Sequence, residues 1–309
     1  MYELSIVIPV RDEERNISNL IQRIFSAIES IHKTFEIIFV TDINKDNTVE
    51  LLHSYCGKHS NIKTLKLSNS FGQHVAVMAG LDHSSGKYTV IMDGDLQDYP
   101  EDILILYNKI CEGYDVVYAL KEKKNEGFLR NLSSRVFNGL MNNLSDIRIE
   151  SNSSMFRIIS RKALEEITKF REYEPSLTYI FSFINLPTAQ AKVRSGVRQE
   201  GKTKYSFFKL VNFAISSLLS FSRKPLRMIS NFGYLVSVVS LLYFAVVLYQ
   251  YFFFGIPILG WATIVAIITF IGGIQLLSIG VIGEYIGRIY MQTKNRPLYI
   301  VENKYGNFE

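Results

Sequence analysis

The stretch YTVIMDGDLQDYPED, residues 88–102, joins an apolar run to a cluster of acidic side chains. Residues 88–94 have the apolar, β-branched composition of a strand that is buried on both faces of a sheet. Asp93 and Asp95 fall at the end of this strand, where neighbouring carboxylates repel one another and lose hydration. The stretch is therefore either a solvated acidic turn or one part of a cation site.

Similar apolar runs alternate with helical patterns on both sides of this stretch. Strands are predicted at 4–10, 35–41, 62–68, 88–94 and 114–120. Helices are predicted at 13–30, 47–57, 72–85 and from Pro100 onward. This alternation predicts an α/β fold with a mainly parallel sheet and helices on both faces. Ligands of such sheets bind at the carboxyl ends of the strands, where Asp42, Asp93 and Asp95 fall.

Two carboxylates and an amide follow one another at intervals of two residues. Asp93, Asp95 and Gln97 therefore project to one side of an extended segment. Their oxygen atoms suit a hard cation such as Mg²⁺ or Mn²⁺, which completes its shell with phosphate oxygens and water. The pattern thus favours a nucleoside diphosphate whose departure the cation assists. By itself the spacing is weak evidence, because acidic turns often contain it.

Other acidic residues of the first part have separate interpretations. Asp42, at the end of another strand, is a candidate acceptor of hydrogen bonds from the base or the ribose of such a nucleotide. Asp98, Glu101 and Asp102 lie at the start of a predicted helix, where the helix dipole favours negative charge.

The second part of the chain contains a long uncharged segment. No charged residue occurs between Arg227 and Glu284, which is far more than the ~20 residues that one membrane helix needs. The helix-breaking sequence FGIPILGW at 254–261 divides this segment. We predict two transmembrane helices at about 232–254 and 261–283; a buried pair of core helices is the alternative. Basic residues flank both ends, so both ends and the N-terminal part are expected in the cytoplasm.

Residues 204–227 link the two parts and carry apolar residues near helical spacing. This favours an amphipathic helix at the membrane interface over an ordinary core helix. The whole chain has a net charge of +5, which suits anionic membranes, nucleotides or phosphorylated substrates without choosing among them. Cys56 and Cys111 have no metal-ligand spacing and are expected to be reduced thiols.

Several motifs occur in an order that is specific to one family. They are VIPVRDEERNI, FGQHVAVMAGLDHSSGKYTVIMDGDLQDYPEDI, GYDVVYALK, FRIISRKAL, RQEGKTKYSFFKL, SFSRKPLR and GEYIGRIYMQTKNRPLYIV. From Ser5 to Val301 the chain resembles the bacterial polyprenyl-phosphate glycosyltransferases. These are membrane-anchored family-two transferases with a GT-A fold, similar to dolichol-phosphate mannose synthases. The resemblance implies a cytoplasmic GT-A catalytic domain at 1–203, an interfacial segment at 204–230, a transmembrane hairpin at 231–284 and a cytoplasmic tail at 285–309.

The resemblance also implies roles for individual residues. The catalytic residues would be Asp93, Asp95, Arg157 and Arg198, and the metal ligands would be Asp93, Asp95 and Gln97. The nucleotide-sugar site would comprise Pro9, Glu14, Asp42, Asp93 and Lys204, and the acceptor phosphate site Arg130 and Ser134. Arg130 and Lys204 also have the simpler interpretation of solvated surface residues.

The activity implied by the resemblance is inverting transfer of a sugar from a UDP- or GDP-linked donor to polyprenyl (undecaprenyl) phosphate, with Mg²⁺ or Mn²⁺ as cofactor. The product would serve later modification of glycans or of the cell envelope. The implied location is the bacterial cytoplasmic membrane, crossed more than once, with the catalytic domain and both termini in the cytoplasm. The lipid bilayer is an expected partner and nucleic acid is not, while a homo-oligomer stays open.

Two other functions compete with this one. A catalytically silent, membrane-anchored scaffold could keep the GT-A fold without transferring a sugar. A processive polysaccharide synthase would need more membrane spans and a Q-x-x-R-W motif, whereas the chain has a single tryptophan, Trp261, inside the hairpin.

The chain also departs from the family pattern. TDIN at 41–44 replaces D-D-G-S, VIPVRDEE replaces VIPVYNEE, Met155 takes the place of a usual aspartate and Lys121 that of a common arginine. These departures leave the sugar and the nucleotide open. Met155 is compatible with transfer, because a phosphate monoester with a second pKa of about 6 is already ionised and needs no base.

Overall fold

The computed structural model describes residues 2–29, 32–121, 153–173, 175–194, 224–254 and 260–308. The predicted site residues Arg130, Ser134, Arg198 and Lys204 lie outside these ranges. The described residues belong to two compact units. One contains the residues up to Lys121, those from Ser153 to Arg194 and those from Arg296 onward, and the other contains two long helices.

The first unit is built on a mixed sheet of eight strands. They are β1 (Leu4–Val10), β2 (Phe35–Thr41), β3 (Ile62–Leu67), β4 (Tyr88–Ile91), β5 (Val116–Lys121), β6 (Ser153–Ser160), β7 (Thr188–Val193) and β8 (Val301–Tyr305). Their order across the sheet is β7-β5-β6-β4-β1-β2-β3-β8. The pairs β4–β1, β1–β2 and β2–β3 are parallel, whereas β6 and β8 run antiparallel to their neighbours. The prediction of a mainly parallel sheet is confirmed.

Helices cover both faces of this sheet, as predicted. They are α1 (Glu14–Glu29), α2 (Thr48–Lys58), α3 (Gln73–Asp82), α4 (Ile103–Ile110), α5 (Arg161–Ile167) and α6 (Leu177–Ile184), with a short 3-10 helix at Pro100–Asp102. Alternate residues of β1 point to opposite faces. Ile6 and Ile8 pack in the cluster that contains the apolar side of α1, and Val7 packs with Val77 and Met78 of α3. The apolar run of β1 is therefore buried on both sides.

Strand β4 ends earlier than its predicted limit at residue 94. The backbone N–H of Met92 still donates to the carbonyl of Val7 in β1 at 3.2 Å. The next backbone N–H, that of Asp93, donates instead to the carboxylate of Asp98 at 3.1 Å. The chain therefore leaves the sheet at Asp93 and carries the acidic residues into a turn.

The last residues of the described chain return to this sheet as β8, which pairs antiparallel with β3. Three contacts outside the regular ladder support the return. Tyr299 Oη donates to Asp82 Oδ2 at 2.8 Å, Lys66 Nζ donates to Glu302 Oε1 at 3.1 Å, and the N–H of Ser68 donates to the carbonyl of Ile300 at 2.9 Å. The short, charged sequence of β8 does not predict this pairing.

The second unit contains α7 (Lys224–Phe254) and α8 (Trp261–Thr293), which enclose both predicted membrane spans. Residues 224–230, predicted as the end of the interfacial segment, form the start of α7, and residues 285–293 of the predicted tail continue α8. Among the described residues, one helical window is long and apolar enough to cross a membrane: Phe270–Thr293, with a mean hydropathy of 1.4 and no buried residues.

Candidate active site

A cleft of about 370 Å³ opens at the carboxyl ends of the central parallel strands. Its walls come from the segments that follow β1, β2, β3 and β4. The lining residues are Pro9, Val10, Arg11, Glu13, Val40, Asp42, Ser70, Gly72, Gln73, Ala76, Asp93, Gly94 and Asp95. The structure therefore brings together Pro9, Asp42, Asp93 and Asp95, four of the residues that the sequence singled out.

Asp93 is held from two directions. Its Oδ1 accepts a hydrogen bond from Nε2 of Gln73 at 2.6 Å, and its backbone N–H donates to Oδ2 of Asp98. Burial raises the pKa of the Asp93 carboxyl to about 7, with further increases from the charges of Asp98 and Asp95. Lys121 and the Gln73 hydrogen bond act in the opposite direction. Negative charge at this strand end is thus only partly compensated by the protein.

Asp95 and Gln97 form a compact turn beside Asp93. The backbone N–H of Gln97 donates to Asp95 Oδ1 at 3.1 Å, and its side-chain Nε2 donates to Oδ2 at 2.7 Å. Leu96 adopts a left-handed conformation with φ of 60°, which closes the turn. Gly94 lies so close to β1 that an added Cβ would stand 2.6 Å from Cγ1 of Val10. The predicted D-x-D-x-Q element is therefore a tight loop packed on the sheet edge.

The donor set of this loop fits a hard divalent cation. Asp93 and Asp95 line the same cleft and offer carboxylate oxygens, and the raised pKa of Asp93 indicates that positive charge would be favoured there. Within the described ranges, no group of three or more histidine, cysteine, aspartate or glutamate side chains could hold a metal alone. Ligands beyond the two carboxylates would be the amide of Gln97, substrate phosphate and water.

Asp42 and Arg11 also line the cleft and contact each other. Nε of Arg11 lies 3.7 Å from Oδ1 of Asp42, and its Nη1 donates to Oγ of Ser70 at 3.0 Å. Arg11 and Ser70 were not predicted as site residues, because neither stands in a pattern that indicates binding. Their side chains add a cation and a hydroxyl group to the part of the cleft that contains Asp42.

The departures from the family pattern at 41–44 have partners within this structure. Asn44 Nδ2 donates to Oγ1 of Thr41 at 2.6 Å and to the carbonyl of Asp42 at 2.8 Å. Asn44 Oδ1 accepts the backbone N–H of Asp12 at 2.9 Å. Asn44 thus connects the loop after β2 to the loop after β1. Ile43, in the same loop, is 53% exposed.

Glu14, predicted to bind the nucleotide sugar, faces the neighbouring loop. Its carboxylate accepts from the backbone N–H of Asn47 at 3.2 Å and from Nδ2 of Asn47 at 3.1 Å. The preceding residue, Glu13, lines the cleft. The structure therefore places Glu14 in the brace between two loops of the site.

Arg157, predicted as catalytic, lies on β6 with no exposed surface. Its guanidinium stands 4.5 Å from the ring centre of Phe181 and 5.1 Å from that of Tyr118. Burial lowers the pKa of Arg157 to about 10, while Tyr118 and Asp93 act to raise it. The pKa of His74 is lowered by the burial of its own side chain and by the charge of Arg157. Arg157 is therefore sealed from the cleft, and its interaction with the cleft residues is the attraction between its charge and Asp93.

Asp98, Glu101 and Asp102 do more than begin a helix. Glu101 accepts two hydrogen bonds from Arg23, and Asp102 accepts three from Arg194, including one from its backbone N–H. Asp98 is buried and pairs with Lys121 Nζ at 2.6 Å. The carboxylate of Asp98 thus binds Asp93 and Lys121, two residues before the short helix Pro100–Asp102 begins.

Comparison with known sequences agrees with these features. The model of Glycosyl transferase family 2 matches residues 5–168, and that of the GtrB C-terminal hairpin matches residues 224–289. The chain is 36% identical to the uncharacterized glycosyltransferase YkcC of Bacillus subtilis (strain 168), over 98% of this chain and 94% of that protein. It is 34% identical to the bactoprenol glucosyl transferase of Shigella phage SfV, over 98% of this chain and 99% of that protein.

Solved structures show the same fold. Glucosyl-3-phosphoglycerate synthase of Mycobacterium tuberculosis, in complex with Mn²⁺, UDP-glucose and phosphoglyceric acid, superposes with a TM-score of 0.51 at 17% identity. The match covers 71% of this chain and 79% of the other. At this identity the comparison bears on the fold alone.

Proposed function

Because this chain belongs to glycosyltransferase family 2, we propose that it transfers a sugar from a nucleoside-diphosphate sugar to polyprenyl phosphate. One observation carries the proposal. The cleft at the carboxyl edge of the sheet is lined by Asp42 together with Asp93 and Asp95. Such an edge is where α/β sheets bind nucleotides, and the two carboxylates suit the cation that accompanies a diphosphate.

The acceptor is inferred from the second family match and from the relatives. The hairpin at 224–289 matches the GtrB C-terminal hairpin, and relatives 34% identical over nearly the whole chain are named bactoprenol glucosyl transferases. These names support polyprenyl phosphate as the acceptor and glucose as the first sugar to test. A UDP-linked donor is the corresponding first choice.

The proposed reaction forms one bond and breaks another at the anomeric carbon. A phosphate oxygen of the lipid attacks this carbon, and the bond to the diphosphate oxygen breaks with its electron pair remaining on the nucleoside diphosphate. A bound divalent cation would neutralise charge on that leaving group. Attack opposite the leaving group inverts the anomeric configuration.

The chain's own residues would position the two substrates. Asp93 and Asp95 would hold the cation together with Gln97, and Asp42 would accept hydrogen bonds from the nucleoside, with Pro9 lining the same cleft. Arg157 would add buried positive charge behind Asp93. No general base is required, because the acceptor phosphate is already ionised near neutral pH.

Four residues outside the described ranges, three of them basic, also belong to the proposed site. By the resemblance, Arg130 and Ser134 would bind the acceptor phosphate, and Arg198 and Lys204 would approach the donor diphosphate. Positive charge is expected wherever two anionic substrates must meet.

The connectivity of the sheet supports a membrane hairpin. Strand β8 follows α7 and α8 in sequence and pairs with β3, which precedes both helices. Because the chain leaves the first unit and returns to it, a segment between them that enters a membrane would cross it an even number of times. Together with the basic flanks, this favours a multi-pass protein of the bacterial cytoplasmic membrane with the sheet in the cytoplasm.

A donor panel tests the proposal. The purified full chain in detergent receives undecaprenyl phosphate, Mg²⁺ or Mn²⁺, and labelled UDP-glucose or other UDP- and GDP-sugars. We expect a lipid-linked sugar from at least one donor and none from Asp95→Ala. If no donor yields a lipid product while a bactoprenol glucosyl transferase relative does so in parallel, the proposed function is wrong. Absence of metal-dependent nucleotide binding would then indicate a silent scaffold.

A further inference from the structure

Asp98 is a buried carboxylate beside Asp93, with no exposed side-chain surface. It contributes no atom to the cleft lining. Its Oδ2 accepts the backbone N–H of Asp93, which is the first amide after β4 leaves the sheet. The Asp98 carboxylate thus replaces a neighbouring strand as the hydrogen-bond acceptor for the Asp93 N–H, and it fixes the point at which the backbone turns away from the sheet.

Lys121 holds Asp98 in this position. Its Nζ lies 2.6 Å from Oδ1 of Asp98, so that the two carboxylate oxygens have separate partners. Lys121 is the last residue of β5, which β6 separates from β4. A buried carboxylate is unfavourable without a paired cation, and the ammonium group supplies this charge from another strand.

We propose that Asp98 and Lys121 are positioning residues for the cation site, in which Asp98 fixes the backbone of Asp93 and Lys121 fixes and neutralises Asp98. This inference rests on the proposed function, because it presupposes a cation at Asp93 and Asp95. Neither residue of the pair lines the cleft. The effect of the pair is to hold Asp93 in place while leaving the carboxylates of Asp93 and Asp95 exposed to the cleft.

The two contributions of Asp98 can be separated by substitution. Asp98→Leu removes the acceptor and the charge at similar volume. Asp98→Asn keeps an oxygen acceptor for the Asp93 N–H but leaves the Lys121 ammonium uncompensated beside the site. The double variant Asp98→Asn/Lys121→Met keeps the acceptor and restores neutrality. The exposed pair Lys109 and Glu112, 2.6 Å apart on the surface, provides the matched control Lys109→Met/Glu112→Gln.

The measurement is the dissociation constant of Mn²⁺, obtained from the electron paramagnetic resonance signal of the free ion with the full chain and UDP. Thermal unfolding is followed in parallel. We expect Asp98→Leu to weaken Mn²⁺ binding by about 10- to 100-fold, as is usual for loss of a residue that orients a metal ligand. Asp98→Asn should weaken it by up to about tenfold, and the double variant should recover to within about threefold of the wild type. The control should bind Mn²⁺ like the wild type.

The outcomes separate this inference from the proposed function. A folded Asp98→Leu protein with the Mn²⁺ affinity of the wild type overturns the inference, as does a wild type that binds no Mn²⁺. If Asp98→Leu does not fold, the double variant decides: binding tighter than that of Asp98→Asn supports the inference, and binding no tighter overturns it. A wild type that binds Mn²⁺ and UDP but transfers no sugar overturns the proposed function alone.

Discussion

Gln73 Nε2 lies 2.6 Å from Oδ1 of Asp93, which joins the first residue of α3 to the end of β4. Within the described residues, this amide is the one hydrogen-bond donor to the Asp93 carboxylate, and its hydrogen bond lowers the pKa that burial raises. Both side chains line the cleft. Gln73 is therefore part of the site, although it stands in no acidic or basic motif.

Replacement of Gln73 by alanine tests this contact. The Asp93 carboxylate would lose a neutral donor that holds its orientation, and we expect Mn²⁺ and donor binding to weaken by about tenfold. The measurement is the dissociation constant of Mn²⁺ with UDP and the KM for the donor. Gln22→Ala, at an exposed position of α1, is the matched control. Unchanged constants in Gln73→Ala would contradict the assignment.

Asp93→Asn should make the protein more stable while abolishing transfer. The pKa of Asp93 is raised to about 7, so the folded state favours the protonated form. This contribution destabilises the folded protein above the folded pKa and disappears below the unfolded pKa of about 4. We expect Tm without metal to rise at pH 8 by roughly 2–8 °C and the gain to shrink toward pH 5.

The measurement for Asp93→Asn is thermal unfolding in EDTA at several pH values, together with the lipid-transfer assay. Glu112→Gln, on the exposed surface, controls for the loss of a carboxylate. A variant that is less stable than the wild type at pH 8 would show that the carboxylate contributes favourable contacts greater than the unfavourable burial of its charge.

Gly94→Ala should lower stability and weaken metal binding, because there is no room for a methyl group at this position. Its Cβ would lie 2.6 Å from Cγ1 of Val10, so the D-x-D loop must move away from β1. We expect an overpacking loss of about 1–3 kcal/mol in the free energy of unfolding, with weaker Mn²⁺ binding. The second change Val10→Ala should restore much of both by removing the obstructing methyl groups.

Gly57→Ala is the matched control for Gly94→Ala, because an added Cβ at Gly57 in α2 meets no atom within 4 Å. It should be neutral or stabilising by up to about 1 kcal/mol. Denaturant unfolding measures both variants. Equal effects at the two glycines would argue against a steric requirement at Gly94.

Removal of β8 should destabilise the first unit. A chain that stops after Ile300 exposes the backbone of β3 and loses the contact of Lys66 with Glu302. We expect a loss of about 2–4 kcal/mol, or roughly 5–15 °C in Tm, and a tendency to associate through the open edge. Thermal unfolding and size-exclusion chromatography in detergent measure these effects. A chain that stops after Phe308 is the control, and equal stability of the two would show that β8 is dispensable.

Local patterns in the sequence were sufficient for the central sheet and the acidic loop. The runs predicted for β1, β2 and β3 agree with the observed strands to within one residue, because strands that are buried on both faces are rich in apolar residues. Asp93, Asp95 and Gln97 meet because their separation is short. The long uncharged segment predicts helices at about 232–254 and 261–283 for a similar reason, since length and hydropathy are local properties, and the observed helices Lys224–Phe254 and Trp261–Thr293 enclose them.

The remainder of the site depends on contacts between distant parts of the chain. Gln73 reaches Asp93 from the helix after β3, Lys121 reaches Asp98 from β5, and Arg11 joins Asp42 to Ser70. The spacing of these residues in the sequence does not predict their contacts, because strand order and register decide which side chains face one another.

The amino-acid sequence by itself determined the class of fold, the acidic strand end and the hydrophobic hairpin of this protein. Only the tertiary structure decided that Asp98 is a buried partner of Asp93 and Lys121, that Arg157 is sealed from the cleft, and that β8 closes the sheet edge. The physical reason is that the hydrophobic pattern acts along a single element, whereas burial and charge pairing arise only when separate elements pack together.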